Sequence, residues 1–312
     1  MQAPRATRGR GPGCYTEAGR SKGGVTVTTL IRAWTEDLRR RLPDAGLTAR
    51  DVRVGVFYTA VQLSTGHVGV AFTPRGLVDA VCCPRSAASA PPAGRMAGCD
   101  AWELADYATS PIPLRRAVGV AVLNALSSLA VERFGVPGGT LLPGADALEA
   151  ADVRSQDRVA MVGAFTPFVR ALKGRVAELW VVDRHPEALR EDERPLWRPP
   201  EAAREVLSAA TVVLLTGSAL VEGGVDELLE ASKRARRVVM AGPTTALWPV
   251  PFFDRGVHVL AGIRVLDGSR LVRIVGEGGS GYFFQDAAEK VAVVRHSSPA
   301  APEPPPALAS AG

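Results

Sequence analysis

The chain has 312 residues, 46% of them apolar, the balance of a globular protein long enough for two domains of ordinary size. Its net charge of +5 is gathered at the start, where residues 1–22 hold Arg5, Arg8, Arg10, Arg20 and Lys22 against Glu17 alone. The remainder is close to neutral and has no basic footprint of the kind a phosphate backbone requires, so nucleic acid is excluded as the expected partner.

Residues 1–23 and 297–312 ("SSPAAPEPPPALASAG") cannot bury apolar surface and are expected to be disordered tails. No apolar signal segment opens the sequence. An amphipathic helix is predicted over 26–42. "RVGVFYTAVQLS" and "HVGVAFT" follow as two strand-like runs around Thr65-Gly66, which reads as a hairpin. Residues 82–100 show no periodic pattern and form a loop carrying Cys82, Cys83 and Cys99. With Cys14 in the tail and Cys82-Cys83 adjacent, no disulfide framework is expected and a reducing cytoplasm fits. The three loop thiols could hold a soft metal, although unpaired structural cysteines are the commoner case.

Helices near 101–109 and 113–134 close this first block, giving a small α+β domain over 24–145. The longest apolar stretch, "AVGVAVLNALSSLAV" at 117–131, contains Asn and Ser. It falls short of the roughly 20 residues that cross a bilayer, so no membrane span is expected. "FGVPGGTLLPGAD" (134–146), rich in Pro and Gly, reads as the connection to a second domain over 146–296.

That second block alternates. "RVAMVG" (158–163), "ELWVVD" (178–183), "TVVLLTG" (211–217) and "RVVMAG" (237–242) are short continuous apolar runs, the signature of strands buried on both faces of a parallel sheet. Helical segments near 166–174, 200–210 and 225–235 separate them, and 257–265 is a fifth strand. The fold class is therefore α/β: a small α+β domain followed by a Rossmann-like, doubly wound parallel sheet.

In such sheets ligands bind outside the carboxyl ends of the strands. Four strand ends can be named. They carry Gly163, Phe165 and Thr166; Asp183 and His185; Thr216, Gly217 and Ser218; and Gly242, Pro243 and Thr244. Glycines at this edge would let a ligand approach the backbone, whereas any single hydroxyl here could simply cap a helix. Asp183 stands 20 residues after Gly163, the spacing at which dinucleotide-binding folds place an acid on a ribose hydroxyl. Against this, "GAFTPF" keeps only the first glycine of G-x-G-x-x-G. Glu222, at the lip of the third loop, is a candidate cation ligand or a solvated carboxylate.

Asp183, Glu222 and His185 are accordingly the candidate metal ligands for a divalent ion; the two carboxylates suit a harder cation, and His185 would favour a softer one. No C-x-x-C, H-E-x-x-H or Walker loop occurs, "TGSAL" lacks the G-x-S-x-G elbow, and His258 lies in a strand pattern as a structural residue. Asn124 shares a helix face with Ala117, Ala121 and Ser128. A buried amide must be hydrogen-bonded, so Asn124 is expected at a domain interface or ligand cleft.

"LRRAVGVAVLNALSS", "VGAFTPF", "VVDRHP", "TVVLLTGSALVEGGVDELL" and "VVMAGPTTALWPVPFFDRGVHVLAGIRV", in this order, resemble the "putative heavy-metal chelation" family across roughly residues 25–295. The resemblance implies an enolase-N-terminal-like domain joined to a Rossmann-like one, a cleft between them, and a part in handling a metal or metal cofactor. The chain departs from the family pattern at Glu222-Gly223-Gly224, where members tend to have Asn-Gly-Thr, and at Asp183, where they tend to have Glu. Two functions are thus expected as alternatives: binding of a small molecule or metal ion in the cleft, or an enzyme such as a transferase with a nucleotide-like cosubstrate. A scaffold for a protein partner is a weaker third, and a homo-oligomer is compatible with each.

Overall fold

The computed structural model describes residues 29–43, 46–74 and 90–296; the expected tails and Cys14, Cys82 and Cys83 lie outside the described residues. Helix α1 (Thr29–Arg41) buries Leu30, Ile31, Trp34 and Leu38 on one side, the spacing an amphipathic helix requires. Strands β1 (Ala49–Val54), β2 (Tyr58–Leu63) and β3 (Val68–Phe72) follow as an antiparallel meander in the order β1-β2-β3. The run 53–64, expected as one strand, is two: Gly55 N donates to Tyr58 O at 2.9 Å, and the turn this closes separates β1 from β2. The Thr65-Gly66 hairpin joins β2 to β3 as expected.

Helix α2 (Ala101–Ala105) starts at Asp100, whose carboxylate accepts from Trp102 N at 2.7 Å. Helix α3 (Pro113–Phe134) begins with Pro at its first position, where the missing N–H costs nothing. By length and composition α3 could cross a bilayer, a reach the 117–131 stretch alone does not have. However, 67% of its apolar window is buried inside the protein, so it is the central core helix. β3 lies directly on it at Gly69: a Cβ there would stand 2.2 Å from both Ala121 O and Ala125 N.

The second sheet has eight strands: β4 (Gly139–Pro143), β5 (Arg158–Val162), β6 (Glu178–Val182), β7 (Trp197–Arg198), β8 (Val212–Thr216), β9 (Arg237–Ala241), β10 (Val259–Val265) and β11 (Ala288–Arg295). Their order is β4-β11-β10-β9-β8-β5-β6-β7. From β7 to β10 all neighbours are parallel, and the strands run third, second, first, fourth, fifth, sixth along the chain. That is the order of a doubly wound sheet, with its topological switch point between β5 and β8. The connecting helices are α4 (Ala147–Ala151), α5 (Thr166–Leu172), α6 (Ala203–Ala209), α7 (Ala219–Glu222), α8 (Val225–Ala231), α9 (Val250–Phe253) and α10 (Gly268–Gly276).

Strand alternation sends neighbouring residues to opposite faces, and both faces are covered. Val159, Met161, Val212, Leu214 and Val239 pack into one core, while Ala160, Val213, Leu215 and Met240 pack into another. The latter core is continuous with Leu30, Trp34, Leu123 and Leu126, so the N-terminal unit shares its apolar interior with the sheet.

Residues 134–146 are not a simple connection. Residues 139–143 are the edge strand β4, paired antiparallel with β11 from Gly139 opposite Arg295 to Pro143 opposite Val291.

At the opposite, amino-terminal rim, Asp157 ties the strand starts together. It accepts from Arg154 N at 2.7 Å, Thr211 Oγ1 at 2.8 Å and Arg236 Nη2 at 2.6 Å. Burial alone would raise its pKa, but these hydrogen bonds and the Arg236 charge outweigh burial and hold it at about 2. An unfolded Asp titrates near 3.9. The pair therefore contributes about 2 kcal/mol above that pH, and the contribution is lost as pH falls from about 4 through about 2. Denaturant melts of Asp157→Asn across that range should show a flatter fall in stability than the parent; parallel curves would contradict this role.

Candidate site at the carboxyl ends of the strands

The four expected loops meet along one rim. Gly163 follows β5 with φ 90°, a backbone conformation that favours glycine. A Cβ on it would stand 3.1 Å from Thr216 Cβ, so the first and third loops touch. Phe165 reaches the fourth loop: a Cβ on Gly242 would lie 4.0 Å from its ring. Gly217 N donates to Ala241 O at 2.8 Å, which locks the third loop to the end of β9.

Gly217 does not open the backbone to a ligand, as its type suggested. Thr245 occupies that space, since a Cβ on Gly217 would be 2.7 Å from both Thr245 N and Thr245 Oγ1. The fourth loop is instead the surface on which the N-terminal unit sits. Thr244 Oγ1 accepts from Phe72 N at 2.9 Å. Asn124 Nδ2 donates to Val70 O at 2.8 Å and Thr244 O at 3.0 Å, so Asn124 stands at the interface as expected. Pro243 is half-buried beside it, and Thr166 is half-buried at the start of α5.

Asp183 is a staple between loops. Its Oδ2 accepts from Ala164 N at 2.8 Å and its Oδ1 from His185 N at 2.9 Å, while its carbonyl accepts from Trp197 Nε1 at 2.8 Å. Each carboxylate oxygen thus accepts from one backbone donor of the first or second loop and keeps a second lone pair.

Glu222 is the more exposed carboxylate. Its side chain is 32% exposed; it receives Ser218 Oγ at 3.3 Å and pairs with Arg184 Nη1 at 3.3 Å. Ser218 Oγ lies 3.1 Å from Thr216 Oγ1, which in turn accepts from Ser218 N at 3.2 Å. Ser218 therefore does not cap α7 through its side chain. Thr216, Ser218 and Glu222 form a chain of oxygens after β8, and Arg184 comes to it from the end of β6 on the far side of β5.

The expected metal ligands Asp183, Glu222 and His185 are not brought together. His185 turns outward, its Nδ1 2.9 Å from Glu187 Oε1, and among the described residues no three His, Cys, Asp or Glu side chains form a group able to hold a metal ion. Contrary to the expectation of unpaired cysteines, Cys99 is buried and joined in a disulfide, so it does not offer a free thiol. His258 is structural, as expected: its Nδ1 accepts from Val238 N at 3.1 Å. Burial, then the charges of Arg237 and Arg295, lower its pKa, which favours the neutral ring.

Two further residues hold this junction together. Arg116, in the first turn of α3, donates Nε to Val221 O at 2.6 Å and Nη1 to Ser110 O and Pro111 O at 3.1 Å. Burial lowers its pKa while the Glu222 charge opposes that. A cation at a helix amino-terminus works against the helix dipole, and this was the available signal that Arg116 serves another contact. Asp226 accepts from Thr29 N, Thr29 Oγ1 and Leu30 N and pairs with Arg255. It therefore caps α1 from the other unit, using free N–H groups that α1 cannot satisfy itself.

A doubly wound sheet with polar loops at its switch point, and an antiparallel unit seated on the same edge, defines the class: an α/β protein with its candidate site at the carboxyl ends of the strands. The chain belongs to the "putative heavy-metal chelation" family, whose two models match residues 35–127 and 146–294. It is 24% identical over 180 residues to the uncharacterized protein MJ0500 of Methanocaldococcus jannaschii, an alignment spanning 57% of this chain and 65% of that relative. Two solved structures share the fold, both DUF364 family proteins of unknown function. The one from Desulfitobacterium hafniense has a TM-score of 0.65 at 20% identity, covering 85% of this chain and 99% of its own. The one from Pyrococcus horikoshii has a TM-score of 0.67 at 21% identity with the same coverage.

Proposed function

We propose that the chain binds a small ligand, a divalent metal ion or a metal complex, at the carboxyl-end rim beside the switch point. The observation that carries this reading is the oxygen chain Thr216–Ser218–Glu222, a partly exposed carboxylate with two hydroxyls in hydrogen-bond contact. Carboxylate and hydroxyl oxygens suit a hard cation. The family's description, heavy-metal chelation, supports a metal-binding role.

Only one of the three groups is charged, and Arg184 already pairs with it. The cation therefore keeps most of its own ligands, as water or as a chelator, and displaces Arg184 on binding. Asp183 positions the loops, and His185 stays outside the set.

Calorimetry on metal-free protein tests this with Mn²⁺, Co²⁺, Ni²⁺ and Zn²⁺, each as the free ion and as its citrate complex. Heat is expected in at least one arm, and Glu222→Gln should weaken that binding by about tenfold or more because the site loses its only negative charge. Silence in both arms, or an unaltered affinity in the Gln variant, overturns the reading.

A further inference from the structure

We propose that the seam between the N-terminal unit and the sheet is a second ligand site, separate from the Glu222 cluster, for a small neutral molecule with a hydroxyl or primary-amide head. Its floor is a cavity of about 20 Å³ between β3, α3, β10 and the loop after β9. Two oxygens of its lining residues, Asn124 Oδ1 and Thr245 Oγ1, are buried and have no hydrogen-bond partner. Thr245 is only 3% exposed. Buried polar atoms without partners are rare, and each one calls for an explanation.

A cavity of this size accepts about one water-sized group. One such group placed between the two oxygens, donating to Asn124 Oδ1, satisfies both. The described residues lining the cavity include no charged side chain. A charged head would be buried there without a counter-ion, so the head is neutral.

Outward, the cavity shares Val68, Ser128, Leu247 and Val265 with a groove of about 450 Å³. That volume falls in the range of small-molecule sites. The groove's ionisable side chains already have partners. His67 Nε2 lies 3.1 Å from Glu132 Oε2, and Arg264 pairs with Glu289. Beside Thr65 and Ser128, its walls carry Val68, Val131, Leu141, Leu247, Val265 and Leu266, apolar side chains that suit an aliphatic body. The ligand is thus a neutral head on a short hydrocarbon chain, and a water takes the place of its head when it is absent.

Propanamide is the probe. In soaked crystals its amide nitrogen should lie within hydrogen-bond reach of Asn124 Oδ1 and Thr245 Oγ1, with its ethyl group against Leu247 and Val265. In solution, a chemical-shift titration should show binding weakened about tenfold in Thr245→Val, the equivalent of one lost hydrogen bond, and retained in Thr245→Ser. Ser128→Leu should block it from the shared wall. Glu222→Gln should leave it unchanged, which keeps this result independent of the metal reading. A floor that holds water alone at saturating propanamide overturns the proposal, as does equal binding by Thr245→Val and the parent.

Discussion

Gly69→Ala is expected to remove more than about 4 kcal/mol of stability and to leave little soluble protein. The strand β3 crosses α3 so closely that the added methyl would stand 2.2 Å from Ala121 O and Ala125 N, and 2.7 Å from the Asn124 carbonyl carbon. All three are backbone atoms of one long helix, so no side chain can swing aside to relieve the overlap. Relief requires β3 and α3 to move apart, which opens the fully buried layer formed by Ala121, Leu123 and Ala125. Urea melts followed by circular dichroism measure the loss. A variant within about 1 kcal/mol of the parent would show that strand and helix are not in this contact.

Asn124→Leu should cost about 2–4 kcal/mol, because it removes two hydrogen bonds at a buried seam and leaves their acceptors dry. The side chain is close to isosteric, so the loss reports on hydrogen bonding more than on volume. Val70 O and Thr244 O both lose the Nδ2 donor, and these carbonyls belong to the two parts of the chain that Asn124 joins. Thermal unfolding is the readout, with a fall of several degrees expected. An unchanged midpoint would mean that water replaces the amide at no cost and that the seam does not depend on it. Thr244→Val should show a smaller loss of the same kind, since it removes the acceptor of Phe72 N alone.

Much of the architecture was legible in the sequence because two-sided burial leaves a plain mark. "RVAMV", "ELWVV", "TVVLLT" and "RVVMA" have no alternation, and each became an inner strand whose residues feed two cores. β4 and β11 were missed for the opposite reason. "GTLLP" looks like a linker, and "AEKVAVVR" carries charge at both ends. β4 is defined as a strand by its pairing with β11, and β11 by its pairing with both β4 and β10; long-range pairing leaves no local signature.

The site was legible in position more than in role. Its four loops do meet, as strand order requires. Which oxygens remain available depends on where the backbone N–H groups point, and sequence does not specify that. Asp183 had the spacing of a ligand contact, and its oxygens also hold Ala164 N and His185 N, a structural role that spacing does not reveal. Glu222 had no such motif and retains the more exposed carboxylate. Thr245 was passed over beside Thr244, and it is the residue whose hydroxyl lies buried without a partner.

Anomalous diffraction from crystals grown with Mn²⁺ tests the central claim most directly. The account predicts a peak within about 2.5 Å of a Glu222 carboxylate oxygen, with Arg184 turned away and Ser218 or Thr216 nearby. A map at saturating Mn²⁺ with no peak on that rim, or with its only peak elsewhere on the protein, would contradict it.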